Sequence, residues 1–238
     1  MQAIILAGGL GTRLRELYPD IPKALVPILG KPFLAWQIEW LRHGGATGIH
    51  IAAGHKASAV KDWLKTDPAG AGVTLSEEPQ PLGTAGGLRF VEEHLRSDPF
   101  LVLNGDSLTP NLDFRAMEKT HSDADGILTT IAVVRSEESG RYGTVEFDIT
   151  HHITAFREKS ERKAGWINTG VYLMSRKTLA LIEADKPVSM ETDVFPRMAA
   201  RRQLLAFQAP SPMLDMGTPE GIRAMESFLS AQPPATSR

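Results

Sequence analysis

The 238-residue chain contains no cysteine, which excludes disulfide bonds and thiolate metal sites and fits a reducing compartment. Charge of neither sign dominates: 26 lysines and arginines oppose 28 aspartates and glutamates, for a formal charge of −2. No general electrostatic pull toward nucleic acid or an anionic bilayer results, so neither is an expected partner, and an anionic ligand must be held by charge placed locally. No apolar run approaches the ~20 residues of a bilayer-spanning helix. The first residues enter a strand pattern directly, with no basic n-region and apolar h-region ahead of it, so the expected location is cytoplasmic. The seven histidines do not fall at metal-ligand spacing, and no serine stands in a G-x-S-x-G nucleophile elbow.

What is present is ordinary for a globular protein. Apolar residues make up 42% and charged residues 23%, enough for a sizeable core and too apolar for a disordered chain. One domain is expected over residues 1–229, followed by a polar, proline-bearing tail, 230–238, read as disordered. Ala3 to Leu6 form a short apolar run of the buried-strand type. Leu34, Ile38 and Leu41 then recur at helical spacing before Gly44-Gly45, and Ile49 to Ala52 is a second strand. Val60 and Leu64 mark a helix, Val73 to Leu75 a strand, and Leu88, Val91 and Leu95 a helix leading into the strand Phe100 to Leu103. This alternation predicts an α/β fold, a Rossmann-like, mostly parallel sheet flanked by helices. After Asp106 the pattern turns strand-like, at 127–134, 143–147, 153–156 and 171–174, with only a short helix at 178–183. The expectation is a β-rich layer, inserted or appended. Helical spacing returns near 194–200, a strand near 204–207, and Thr218 followed by Pro219 opens a last helix.

The stretch Leu6-Ala7-Gly8-Gly9-Leu10-Gly11-Thr12-Arg13, with Lys23 beyond it, carries the chemistry. Side chains all but vanish after a buried strand, so something approaches the backbone closely. Glycines expose N–H groups to an anion, and Arg13 and Lys23 add mobile positive charge. The natural guest is a polyphosphate. It is not a P-loop, because no lysine follows Gly11, and not a dinucleotide fingerprint, because the third glycine position after Gly9 is Leu14. At the end of another strand stands Asn104-Gly105-Asp106. On its own this is equally a turn sequence, but it presents a carboxylate where Mg²⁺ bound to phosphates needs one or two.

Gly8 to Arg13 followed by Pro22-Lys23 closely resembles the G-G-x-G-T-R…P-K signature of the sugar-phosphate nucleotidyltransferases, and the resemblance runs in order from residue 2 to about 229. It implies the nucleotide-diphospho-sugar transferase fold, with a nucleotide part over about 1–110 and a sugar-phosphate part over about 111–229. It also implies the reaction: a nucleoside triphosphate and a sugar 1-phosphate give a nucleotide sugar and pyrophosphate. By resemblance, Asp106 and the Asp215 of Leu214-Asp215-Met216-Gly217-Thr218-Pro219 hold Mg²⁺. Arg13, Lys23, Asp106 and Lys159 carry catalysis: Arg13 and the loop N–H groups on the departing pyrophosphate, Lys23 by the α-phosphate, and Lys159 steering the acceptor.

The glycine-rich run Glu78-Pro79-Gln80-Pro81-Leu82-Gly83-Thr84-Ala85-Gly86-Gly87 resembles the family's L-G-T-A-G nucleoside loop. The implied nucleotide contacts are Leu6, Ala7, Gly8, Gly9, Gly11, Thr12, Arg13, Lys23, Glu78, Pro81, Leu82, Gly83, Thr84 and Asp106. Glu78 stands where relatives place a base-reading side chain, and a carboxylate, which accepts only, matches the N1–H and N2–H donors of guanine. Arg141-Tyr142-Gly143, Glu158-Lys159 and Asn168-Thr169-Gly170 resemble the elements that hold the sugar 1-phosphate. The implied acceptor contacts are therefore Tyr142, Gly143, Glu158, Lys159, Asn168, Thr169 and Gly170, while Glu191 and Asp193 lie where relatives sometimes meet sugar hydroxyls. Asp193 is equally placed to cap a helix.

Within the family the pattern looks most like the D-glycero-D-manno-heptose 1-phosphate guanylyltransferases. Mannose-1-phosphate guanylyltransferases are next, and uridylyl- and thymidylyltransferases behind them. A catalytically silent relative that binds a nucleotide sugar and regulates a partner is the alternative of another class. The expected partners are GTP and a sugar 1-phosphate, and the tryptophan-bearing helices would suit a homodimer.

Overall fold

The computed structural model describes residues 1–9, 11–14, 16–137, 144–157 and 164–231. Among these the strands are β1 (Gln2–Ala7), β2 (Pro27–Ile28), β3 (Lys31–Pro32), β4 (Gly48–Ala53), β5 (Val73–Glu77), β6 (Phe100–Asn104), β7 (Ser107–Leu108), β8 (Thr129–Ser136), β9 (Thr144–Phe147), β10 (Ile153–Arg157), β11 (Gly165–Met174), β12 (Leu204–Gln208) and β13 (Leu214–Asp215). The α-helices are α1 (Phe33–His43), α2 (Ala57–Thr66), α3 (Gly83–Phe90), α4 (Phe114–Asp123), α5 (Phe195–Ala200) and α6 (Pro219–Ser230). None of the described helices is long and apolar enough to cross a membrane.

One sheet organises the chain, in the order β10-β9-β11-β6-β1-β4-β5, with β8 joining β11 to β12. β6, β1, β4 and β5 run parallel, as the alternation of strands and helices requires, because a parallel neighbour can be reached only through a crossover. β11 pairs antiparallel with both β6 and β8. The β-rich half is therefore appended edge to edge on the same sheet.

Both faces are covered, and the period of two in each strand shows it. Ile4, Phe100 and Val102 pack with Leu88 of α3 and with Phe195 and Met198 of α5. Ala3, Ile5, Leu101 and Leu103 pack on the opposite side with Leu34, Ile38 and Leu41 of α1 and Phe114 and Met117 of α4. A third cluster joins Leu14, Val26 and Phe33 to Met216, Ile222 and Met225, so α6 packs against the segment that follows the glycine loop.

Several boundaries differ from expectation. α4 lies in the part after Asp106 where the sequence predicts only a short helix, at 178–183, and no element over α4's own residues. Its apolar face is thin, with only Phe114, Met117 and His121 buried, and what starts it is Asp113, whose carboxylate accepts the N–H groups of Arg115 and Ala116. The glycine-rich nucleoside segment is not a loop throughout but the opening of α3. Gly86 and Gly87 sit inside that helix because a Cβ at either would lie 2.6 Å from the Lys186 carbonyl or 2.7 Å from Glu78 Oε1. The helix expected at 178–183 is a 3₁₀ segment, Arg176–Leu181. α5 follows a π-turn, Met190–Val194, and Asp193 does not cap it but accepts the N–H of Ser189. Thr218 caps α6 through the N–H of Gly221, and Ser230 is the last helical residue, not part of a tail. Residues 232–238 lie outside those described.

Trp36 donates to the Ile28 carbonyl, and Trp40 meets the Phe114 ring at 4.9 Å. These two tryptophans are used within the chain.

At the sheet's far end His50, 1% exposed, is stacked on His94 with ring centroids 4.3 Å apart and joined to Thr74. Burial, then the charges of His94 and Arg96, lower its pKa to about 4. Below pH 6.5 the unfolded chain takes up this proton and the folded chain does not, so stability is lost as pH falls from about 6.5 to 4, by about 3 kcal/mol. Thermal unfolding across that range should show the loss, and His50→Gln should flatten it. His121, held by Thr130 and shifted down by burial, contributes a slope of the same sign.

Candidate functional site

The carboxyl ends of β1 and β6 open on a cleft of about 320 Å³. Of the residues expected to meet the nucleotide, Leu6, Ala7, Gly8, Gly9, Gly11, Lys23, Glu78, Pro81, Gly83, Thr84 and Asp106 line it. Ala24, Asn104 and Gly105 join them. Thr12 and Arg13 line an adjoining pocket of about 200 Å³ together with Lys23, Asp106, Asp215 and Gly217. Leu82 is the exception: only 3% exposed, its side chain turns into the protein and its backbone serves instead, accepting from Val188 and donating to Glu78. Gly83 has φ +73°, and a Cβ there would lie 2.6 Å from the Val188 carbonyl. No other residue type starts α3 in this position without strain.

Glu78 is wedged between the two glycine segments. A Cβ on Gly8 would stand 2.8 Å from its Oε1 and one on Gly87 2.7 Å, while Leu82 N–H donates to Oε2 at 3.2 Å. Burial raises the Glu78 pKa, and the Leu82 hydrogen bond offsets part of the rise. A carboxyl that holds its proton more tightly when folded adds stability below the ordinary carboxylate pKa and gives it up as pH rises through the raised value. At pH 7 the ionised group is a cost to folding, so Glu78→Gln is expected to raise Tm at pH 7 and to leave it nearly unchanged near pH 4. Thermal scans at the two pH values test this.

Asp106 and Asp215 are brought together by the short ladder between β7 and β13, in which Asp215 faces Ser107 and Met216 N–H donates to the Asp106 carbonyl. Lys23 Nζ lies 2.6 Å from Asp106 Oδ2, and Gly217 N–H donates to Asp215 Oδ1 at 2.6 Å. Among the described residues no group of three or more His, Cys, Asp and Glu side chains gathers as a metal cage. Two carboxylates on one pocket, open to the glycine loop, are a donor set that suits Mg²⁺, a hard cation that keeps waters and completes its shell with phosphate oxygens. The residues present fit that ion.

On the acceptor side, Tyr142, Gly143, Glu158 and Lys159 lie outside the described residues. Asn168, Thr169 and Gly170 are not a free turn. They form an irregularity within β11, where the register against β8 shifts between Asn168 and Tyr172. Asn168 Oδ1 accepts from Gly170 N–H and its Nδ2 donates to Tyr172 Oη. Thr169 is fully buried with its hydroxyl on the Ala132 carbonyl, so its side chain is structural rather than sugar-facing. Sequence reasoning missed Tyr172. It is buried, with its pKa pushed well up by burial and by the Glu191 carboxylate, and its hydroxyl donates to Glu191 Oε1 at 3.2 Å. Glu191 Oε2 accepts from Thr84 and Ser189, each at 3.0 Å, which ties α3 to β11. Asn104 was also missed. Its Oδ1 is buried at the cleft with no partner among the described residues, and its place, one residue before Gly105-Asp106, was the available signal.

The profile of the nucleotidyl transferase family matches residues 2–232. The chain belongs to the nucleotidyl transferase family. Among its relatives, rice "Probable mannose-1-phosphate guanylyltransferase 2" is 38% identical over 226 residues, which cover 92% of this chain and 62% of the relative. The mannose-1-phosphate guanyltransferase of Saccharomyces cerevisiae is 36% identical over 227 residues, 92% and 62% of the two chains. The chain thus spans 62% of the length of these two curated relatives. The crystal structure of HddC from Yersinia pseudotuberculosis superposes with a TM-score of 0.86 at 32% identity, covering 96% of this chain and 99% of that one. A second structure of HddC, complexed with GMP-PN, gives 0.84 over the same shares.

Proposed function

We propose that the chain is a guanylyltransferase that joins the GMP part of GTP to a sugar 1-phosphate, D-glycero-D-manno-heptose 1-phosphate, and releases pyrophosphate. The observation that carries the reading is the cleft itself. A side-chain-free loop, a lysine and two carboxylates meet where a triphosphate would lie, with an acceptor-only carboxylate, Glu78, at the nucleoside end. HddC, a chain of nearly the same span crystallised with a guanine nucleotide, supports the base. The heptose acceptor rests on Arg141-Tyr142-Gly143-Thr144-Val145 and the neighbouring motifs. Mannose 1-phosphate is the second reading, favoured by the names of the rice and yeast relatives.

Asp106 and Asp215 would hold Mg²⁺, which when bound draws charge from the triphosphate oxygens. The chain's own residues position and neutralise. Loop N–H groups and Arg13 hold the β- and γ-phosphates, which leave as pyrophosphate. Lys23 offsets charge building on the α-phosphoryl oxygens as the sugar phosphate oxygen attacks in line. No side-chain nucleophile is required for such a displacement.

Label at the α-phosphorus of GTP should appear in the nucleotide sugar, and label at the β- and γ-positions in pyrophosphate. Label from the α-position in free GMP alone would contradict transfer. Glu78→Gln should lose most of the preference for GTP over UTP and dTTP, read as the ratio of kcat/KM values, because an amide can meet the mixed edge of uracil or thymine. An unchanged ratio would remove Glu78 from base reading.

A further inference from the structure

Six residues of α1 are buried, and five of them, Phe33, Leu34, Ala35, Ile38 and Leu41, are apolar; the sixth is Gln37. Gln37 is 0% exposed. Its amide nitrogen donates two hydrogen bonds of 2.9 Å, one to the carbonyl of Asn104 and one to the carbonyl of Ser107. Both partners are acceptors, so the nitrogen of the amide must be the end that faces them. Those carbonyls flank Gly105 and Asp106. The other end of the amide, Oε1, has no partner among the described residues.

A buried amide in the apolar stripe of α1, with its Oε1 unmet, is there for what its NH₂ serves, two carbonyls that a leucine or methionine would leave without a donor. What it does well is hold a turn. One rigid NH₂ fork spans both ends of the segment that carries Asp106. Backbone bonds fix the same segment to its neighbours, from Gly105 N–H to the Leu6 carbonyl at 2.9 Å and from Met216 N–H to the Asp106 carbonyl at 3.0 Å. The Ser107 hydroxyl adds a tie to the Thr169 carbonyl at 3.0 Å. Without Gln37, two buried carbonyls lose their donor, and the turn relaxes toward whatever water or side chain can supply one.

We propose that Gln37 is a positioning residue for the transfer reaction, aiming the Asp106 carboxylate at the metal position it shares with Asp215. The inference rests on the nucleotidyl-transfer reading above. Groups that orient metal-binding side chains commonly change metal affinity or activity by about 10- to 100-fold when removed, and Gln37 acts one step further back, through the backbone that bears the ligand.

The test is binding of Mn²⁺, followed by electron paramagnetic resonance, to the full chain in the presence of a non-hydrolysable GTP analogue, together with the Mg²⁺ dependence of turnover. Gln37→Met keeps the length and removes both donors; Gln37→Glu keeps the shape and sets a carboxyl against the two carbonyls. The expected result for both is Mn²⁺ binding weakened about tenfold and a matching rise in the Mg²⁺ needed for half-maximal rate. KM for the sugar 1-phosphate should be unchanged, and Tm of the methionine variant should fall somewhat, because two buried carbonyls lose their donor. A merely structural Gln37 would lower Tm and leave Mn²⁺ affinity in the folded protein unaltered, which would overturn the proposal. If the methionine variant does not fold, the glutamate variant is read alone, and failure of both to fold would likewise make Gln37 structural. Wild-type protein that binds no Mn²⁺ with the analogue would remove the parent reading, whereas wild-type and variant binding of equal strength would remove only this one.

Discussion

Lys23→Met is expected to lower kcat by about 10²- to 10³-fold, the loss typical of removing one preorganised donor from developing transition-state charge, with Tm nearly unchanged. The two halves of the expectation have separate grounds. Lys23 lines both the nucleotide cleft and the carboxylate pocket, and its side chain is only 19% exposed, so its charge acts where water screens it poorly. Its present partner, Asp106, is 37% exposed, and an ion pair at the water's edge contributes about 1 kcal/mol or less to folding. Steady-state kinetics beside thermal unfolding separate the two. Full turnover in the variant would take Lys23 out of the mechanism. Arginine is not expected to rescue it, because a planar fork cannot take the place of a compact ammonium against Asp106 and Gly217.

Asp106→Asn is expected to cost about 10³-fold or more in kcat, the scale of several kcal/mol of charge stabilisation that a bound metal supplies. The substitution keeps the shape of the side chain and the backbone bonds of the turn, including that from Met216 to the Asp106 carbonyl, so folding should survive. What changes is the charge that offsets Lys23 and would hold the metal beside Asp215. The same variant should bind Mn²⁺ with a GTP analogue far more weakly than wild type, and Asp215→Asn should move both readouts in the same direction. Near-normal metal binding by Asp106→Asn would show that the carboxylate is only the end of a strand turn.

The parts legible in the sequence were those in which residue type and spacing state the physics directly. An apolar run ending in glycines, as at Ile4 to Gly9, leaves little choice but a buried strand followed by exposed backbone, and Thr218-Pro219 names its own helix start. The parts not legible depended on distant neighbours. α4 has too thin an apolar stripe to declare itself and relies on β8, β11 and β12, against which it packs. Gly86 and Gly87 read as loop residues because the space at each is taken by something its own residue type does not announce, the distant Lys186 carbonyl at Gly86 and the Glu78 carboxylate at Gly87. Arg13, Lys23, Asp106 and Asp215, named from residue type and motif, line one pocket, whereas Tyr172 was hidden inside an apolar run. Thr169 looked polar and available, yet Ala132 claims its hydroxyl.

The measurement closest to the central claim is Mg²⁺-dependent pyrophosphate release by the full chain, with GTP, UTP, dTTP, CTP and ATP each crossed against heptose, mannose, glucose and N-acetylated amino-sugar 1-phosphates. The account predicts turnover with GTP and D-glycero-D-manno-heptose 1-phosphate, none without the sugar phosphate, and none without the metal. Nucleotide binding with no pyrophosphate from any pair would contradict it and leave a nucleotide-sugar-binding regulator in its place.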